Sequence, residues 1–349
     1  MKKNTGKEKI DIYFIAKKAE VSPATVSRVF NRRELVKENK VERVLAICKE
    51  YDYKPSHIAR AIRTRKTKNI ALIVNGISVY TKNIELIASV ESRLDKYGYC
   101  LNIFNTHTNK KKQKYIVDII DERVIDGVIL QGSGFSEKCM DTEIIELLNK
   151  RRVPSFFIER YMVNAEIPYA VIDGKKGGNI AAEYLLKKNH RNIGIVSHLL
   201  TYKILKDRVS GFLNVLKKAG IKIKFILEFD IKGRNPEIMK SLIKEKIDMI
   251  KDSNVSAIFC TTDIIAISLI NALSSGNIKV PGDISVIGYD NHPLIEAMPA
   301  KPTTIDNDLK KLGEIAVDNL VARIEKGRLL KKKTVIEPSI IEGETVRQI

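Results

Sequence analysis

Between Asp11 and Asn31 apolar residues recur at helical spacing in two short bursts separated by a turn. Ile12, Ile15, Ala16 and Ala19 mark the first helix, with Asp11 placed to cap it. Val21 closes the turn. Ser22 and Pro23 then pair a capping residue with the residue best tolerated at the first helical position. On the second helix Val26, Val29 and Phe30 share an inward side, while Pro23, Ala24, Ser27, Arg28 and Asn31 fall on another. Small residues at the start of that face permit close approach, and the Arg28 fork one turn later can reach guanine O6 and N7. Such a face suits a helix entering the DNA major groove; an ordinary surface helix pair with scattered charges is the alternative. A third helix is predicted over 38–51, with Val41, Val44, Leu45 and Cys48 inward. Pro55 breaks it. Ser56 to Arg63 then reads as a short basic helix whose apolar stripe, Ile58, Ala59 and Ile62, has nothing local to cover it. A hinge that folds only on a partner has this pattern, and so does a plain linker.

From Asn69 onward the pattern changes. Short apolar runs (IALIV, LNIF, DGVIL, PSFFI) alternate with helical segments near 81–97, 111–123 and 141–151. A second series follows, YAVID, NIGIV, FILEF, SAIFC and DISVIGYD, again separated by helices. Strands alternating with helices imply parallel sheets wrapped by helices, and two series imply two α/β lobes with a cleft between them. Ligands of open α/β sheets bind beyond the carboxyl ends of the strands. Here those ends carry Asn75, Gln131, Glu159, Arg160, Asp173, Asp263, Asp290 and Asn291.

Composition sharpens this division. The 349 residues suffice for two or three domains, and the net charge of +19 is unevenly placed. Residues 1–68 hold 19 Lys or Arg against 8 Asp or Glu, so a small basic module precedes a more balanced body. That distribution suits a polyanion binder, although lysine-richness throughout, as at Lys110–Lys112 and Lys331–Lys333, is part of it. Cys48, Cys100, Cys139 and Cys260 are too scattered for a zinc site or a disulfide framework and fit reduced, mostly buried thiols. No apolar signal core follows the basic start and no run reaches membrane-span length, so a cytoplasmic location is expected. DGKKGGN lacks dinucleotide-binding spacing, its Gly177 and Gly178 serving instead for close helix packing. No metal-spaced His/Cys set and no G-x-S-x-G appear, so neither an enzyme nor a cofactor is expected.

Taken together, VSPATVSRVFN, YDYKPSHIARAIR, RVIDGVIL, PYAVIDGKKGGNIAAEYLL, RVSGF, AIFCTTDIIAISLINAL, VPGDISVIGYDN and PTTID stand in an order and spacing that resemble the LacI/GalR family of bacterial transcription regulators. The resemblance covers nearly the whole chain. It implies an all-α helix-turn-helix domain (1–54), a hinge helix and linker (55–66), and a two-lobed α/β core similar to periplasmic binding proteins (67–349). The chain of such a core crosses between lobes three times, which puts lobe one at about 67–166 plus 291–325 and lobe two at about 167–290 plus 326–349. By position, Pro23, Ala24, Ser27 and Arg28 would face base edges, Thr25 and Asn31 would anchor to phosphates, and Ile62 would wedge into the central minor groove. Arg208 and Asp263 match the family's regular effector contacts, facing each other across the cleft, with Asn75, Glu159 and Asp173 as further candidates. Such an Arg and Asp suit a polyhydroxylated ligand; a salt bridge that only holds the lobes is the alternative.

Four positions depart from the family pattern. Glu20 replaces a turn glycine and Lys37 a capping serine. Thr262 replaces an asparagine and Gly343 an arginine. The expected function is a DNA-binding repressor of a pseudo-palindromic operator, active as a homodimer because one reading head covers too few bases. A small effector, sugar-like by resemblance, would switch it. Low aromatic content and the lack of Trp remove a common sugar-stacking residue. The competing expectation is an intracellular small-molecule binding protein with no specific DNA target.

Overall fold

The computed structural model describes residues 10–54, 66–74, 77, 83–105, 115–116, 118–120, 122, 124–131, 141–159, 167–230 and 236–349. Ile58, Ala59, Ile62 and Asn75, and with them the hinge helix, lie outside the described residues. The described chain separates into an N-terminal unit and a core that begins at Lys68.

In the N-terminal unit, α1 (Ile12–Lys18) and α2 (Pro23–Asn31) are followed by a 3₁₀ turn and α3 (Glu38–Glu50). Both expected caps form. Asp11 Oδ1 accepts from the amides of Tyr13 and Phe14 at 2.9 and 3.0 Å, and Ser22 Oγ accepts from the Thr25 amide at 3.1 Å. Ile15, Ala16, Ala19, Val26, Val29, Val41, Val44 and Cys48 make the core. Phe30 and Leu45, expected inward, are 38% and 37% exposed. Three short helices cannot cover so wide an apolar arc, and in the last turn of α2 they cover Val29 but leave Phe30 toward solvent.

Two departures from the family pattern have a local cost. Glu20 sits at φ 52°, a left-handed conformation that glycine adopts freely, and its ion pair to Arg43 at 3.2 Å is too exposed to offset much. Lys37 is the N-cap of α3 and offers no side-chain hydrogen bond. Glu20→Gly and Lys37→Ser are each expected to stabilise this unit by about 1 kcal/mol. Exchange of the buried α2 and α3 amides in the full chain should then slow several-fold in each variant; unchanged exchange in both would remove this account.

The core has two sheets. Strands β1 (Asn69–Val74), β2 (Cys100–Asn105), β3 (Gly127–Gln131), β4 (Ser155–Ile158), β5 (Tyr169–Ile172) and β11 (Lys333–Ile336) form the first, in the order β11-β5-β4-β3-β1-β2 and parallel throughout. Helices α4 (Asn83–Asp95) and α11 (Leu309–Lys326) cover one face, and α5 (Asp141–Arg151) lies on the other. The second sheet, β7-β6-β8-β9, comprises β6 (Ile193–His198), β7 (Phe225–Phe229), β8 (Ala257–Cys260) and β9 (Ser285–Ile287), also parallel. On one side of it pack α6 (Gly174–Lys187) and α7 (Lys203–Lys218). On the other pack α8 (Pro236–Lys244), α9 (Ile247–Asp252) and α10 (Asp263–Ser275). Coverage on both faces is why the strands read as unbroken apolar runs.

The lobe boundaries differ from those expected. β5 and β11 fall within the span expected of lobe two, yet they pair with each other and β5 pairs with β4, so both belong to the first sheet. Conversely β10 (Thr304–Asp306), expected in lobe one, is bridged to the second sheet through Ile287–Thr303 and Asp290–Asp306 and pairs antiparallel with β12 (Ser339–Ile341). Backbone pairing, which apolar periodicity does not encode, decides the membership of such edge strands. The described chain passes between the two sheets after β5, after β10 and after β11.

Gly178 and Gly211 form the crossing of α6 and α7. A Cβ on Gly178 would overlap the Arg208 carbonyl oxygen, and one on Gly211 would overlap that of Lys175. Gly178 thus has the packing role expected of it. Gly343 has a similar cause: a side chain there would run into the carbonyl oxygen of Lys301. Cys48 and Cys260 are buried and reduced, and burial pushes the Cys260 thiol well up; Cys100 is exposed. Among the described residues no helix is long and apolar enough to cross a membrane and no His/Cys/Asp/Glu cluster could hold a metal ion.

Candidate functional site

α2 presents the face anticipated from its sequence. Val26 and Val29 anchor it from below, Ala24, Arg28 and Asn31 are exposed, and Pro23, Thr25 and Ser27 are half-buried at its margin. Ser22 and Thr25 share a hydroxyl hydrogen bond of 2.9 Å, which fixes both at the helix start. The Asn31 amide donates to the Ser27 carbonyl at 2.6 Å, lying along the helix. Arg28 makes no ion pair among the described residues, so its guanidinium is available to an external acceptor. The positive end of the helix dipole and a fork-shaped donor share one surface, as an anionic, hydrogen-bonding partner requires.

In the core, polar groups gather at the carboxyl ends of both sheets. On lobe one Gln131, ending β3, donates from Nε2 to Asn83 Oδ1 and to Glu159 Oε2, each at 2.6 Å. Glu159 follows β4 at φ 64°, a strained backbone for a long side chain. On lobe two Arg208, from α7, is 4% exposed. It donates from Nη1 to the Thr261 carbonyl at 2.6 Å and from Nη2 to Asp290 Oδ1 at 2.8 Å. Its guanidinium carbon lies 3.8 Å from the centre of the Tyr289 ring. Asn307 Nδ2 donates to the same Asp290 oxygen at 2.8 Å.

Burial opposes the Arg208 charge. Asp290 beside it, then Tyr289 and Glu159, outweigh burial and hold it protonated more firmly than usual. Burial also pushes the Tyr289 hydroxyl up to about 12, against the pull of Arg208. Arg208 Nε and Asn307 Oδ1 are buried without a hydrogen-bond partner among the described residues. Buried polar atoms are rarely left so. Here a donor and an acceptor beside one ion pair are left for further hydrogen bonds to satisfy.

Asp263 is not where the resemblance put it. It is fully buried, and its carboxylate accepts from the His292 amide at 2.7 Å and from the Thr304 hydroxyl at 2.6 Å. Both Arg208 and Asp263 belong to lobe two, so they do not face each other across the cleft, and no ion pair between them holds the lobes. Asp263 instead ties the start of α10 to the segments after β9 and in β10. Thr262 caps the same helix through a long 3.4 Å bond to the Ile265 amide. Asp173 caps α6 by accepting from the Lys176 amide at 2.9 Å, half-buried at the first lobe crossing. Asp290, the true partner of Arg208, was visible only as one polar strand end among several. Its φ of 116°, followed by Asn291 at 52°, is the backbone feature that distinguishes it, and no sequence pattern announces it.

A model described as bacterial regulatory proteins of the lacI family matches residues 11–56, and one for a periplasmic binding protein-like domain matches 182–346. The HTH-type transcriptional repressor PurR of Proteus mirabilis is 30% identical over 336 residues, 95% of each chain. The chain belongs to the LacI family. Solved members of this family share the fold. The lac repressor dimer bound to operator and the anti-inducer ONPF superimposes with a TM-score of 0.80 at 21% identity, over 97% of this chain and all of that one. A LacI family regulator from Enterococcus faecium with bound ribose gives 0.67 at 21%, over 80% of this chain and 99% of its own. Within the LacI family frame, α2 occupies the span of the regulatory-protein model, and Arg208 and Asp290 that of the binding-protein model.

Proposed function

We propose that this LacI-family chain is a transcriptional repressor that binds a pseudo-palindromic operator as a homodimer. A small polyhydroxylated effector, seated between the core lobes, would change its DNA affinity. The observation that carries the reading is the exposed face of α2, with Ala24 for close approach and an unengaged Arg28 one turn on. Arg28 would read a guanine, Pro23, Ala24 and Ser27 would lie against base edges, and Thr25 and Asn31 would meet phosphates. Ile58, Ala59 and Ile62 would form the hinge, with Ile62 as the minor-groove wedge. The curated relatives are named as repressors, which supports a non-catalytic role in the cytoplasm, where bacterial DNA lies. Relatives solved with ribose and with cellobiose support a sugar-like effector, held by Arg208, Asp290 and Asn307 on lobe two and Glu159 on lobe one.

Selection of DNA sites from a random pool by the purified chain tests this. A two-fold symmetric consensus that disappears in Arg28→Ala is expected. Binding without sequence preference would overturn the repressor reading and leave a small-molecule binder.

A further inference from the structure

All strands of the first sheet start at one edge, and the chain enters the core there. The Lys68 carbonyl accepts from Cys100, that of Asn69 from Asp126, that of Pro154 from Val128, and that of Lys332 from Tyr169. Helices α4, α5 and α11 end on the same edge. The chain is basic where it leads into β4 and β11: Arg151, the last residue of α5, and Arg152 precede β4, and Arg328, Lys331 and Lys332 precede β11, which opens on Lys333, all exposed. β4, β5 and β11 are adjacent, so the two basic stretches lie about 10 Å apart.

Helix C-termini attract cations, which accounts for Lys150, Arg151 and Lys326. It does not account for Arg328 or for Lys331–Lys333. These lie beyond Gly327, which ends α11 at φ 63°, and they make no ion pair among the described residues. Two acids of this edge are already engaged. Asp126 accepts from the Lys68 amide, and Glu325 pairs with the Lys68 ammonium at 3.1 Å. More than half of the core's excess positive charge sits on this edge. Like charges held close together repel one another, and a polyanion relieves that repulsion.

We infer that the amino edge of the first sheet is a second, sequence-independent DNA contact: it binds phosphates of the duplex flanking the bases that α2 reads. The inference rests on the DNA-binding reading of α2. The tether permits it, since the fourteen-residue step from Lys54 to Lys68 spans at most about 50 Å when extended. Lysines and arginines on loops suit this role, because phosphates ask for charge within reach rather than for fixed geometry.

The test is the salt dependence of DNA binding by the full chain, on a duplex limited to the selected site and on one with long flanks. The variant is Arg328→Gln/Lys331→Gln/Lys332→Gln. A control, Lys217→Gln/Lys218→Gln/Lys222→Gln, removes the same charge from exposed positions on lobe two. On the long duplex the variant should lower the slope of log affinity against log salt by about 2 to 3, near 0.9 per lost phosphate contact. The control and the short duplex should show no such change. Equal slopes for variant and wild type on the long duplex would overturn the inference, as would an equal loss in the control. If the wild type shows no site preference, it is the reading of α2 that falls; the same slopes on a random-sequence duplex then decide the role of the edge.

Discussion

Replacing Arg208 by alanine is expected to destabilise the core by about 3–5 kcal/mol, because it strands a carboxylate in a largely buried site. The guanidinium satisfies Asp290 and the Thr261 carbonyl together and covers the Tyr289 ring at 3.8 Å. Without it Asp290 keeps the Asn307 amide and no cation among the described residues. Arg208→Lys separates stability from recognition. A lysine keeps the charge beside Asp290, but its three donors radiate from one nitrogen and cannot span the Thr261 and Asp290 acceptors while also reaching the position of Nε. That variant should stay folded while binding the proposed effector at least ten-fold more weakly, the loss of about one charge-assisted hydrogen bond. The measurement is the rise in melting temperature of wild type and Arg208→Lys across a panel of unphosphorylated mono- and disaccharides. A sugar that stabilises both equally would remove Arg208 from the binding site. If no sugar stabilises the wild type, the polyhydroxylated-effector reading falls.

Gly178→Ala is expected to have a comparable effect by a different route. Alanine is worth roughly 1 kcal/mol more than glycine in a helix interior, so propensity alone predicts a gain. Packing reverses the sign. The added methyl would overlap the Arg208 carbonyl oxygen and lie 2.8 Å from the Phe212 amide nitrogen. Both obstacles are backbone, so α7 must move as a body, and overpacking costs about 1–3 kcal/mol, here toward the upper end because no flexible side chain can yield. Because the obstructed residue is Arg208, the shift also misplaces its guanidinium and should weaken effector binding. Gly174→Ala, one turn earlier on α6, meets Asp207 Cβ at an ordinary 3.4 Å and serves as the control. Chemical denaturation of the three proteins should show Gly174→Ala near wild type and Gly178→Ala well below it. Equal stabilities would mean that the helices part at little cost.

The N-terminal unit was largely legible because its determinants are local. A capping oxygen acts within three residues, a helix face repeats within four, and a left-handed turn strains one residue. Asp11, Ser22, Glu20 and Lys37 therefore behave as their positions predicted. Phe30 and Leu45 did not, since whether an apolar side chain is covered depends on how much of the neighbouring helices reaches it.

The sequence by itself determined the caps, the apolar runs of parallel strands buried on both faces, the polar strand ends and the family. It determined these because each is written in residues close together or in an ordered set of motifs. Tertiary structure alone decided that β5 and β11 belong to the first sheet, since strand pairing is a matter of backbone hydrogen bonds between distant segments. It also decided which acid serves Arg208. Asp263 and Asp290 both follow apolar strands. Only the fold buries one behind the His292 amide and the Thr304 hydroxyl, and turns the other, through an unusual backbone angle, toward the guanidinium.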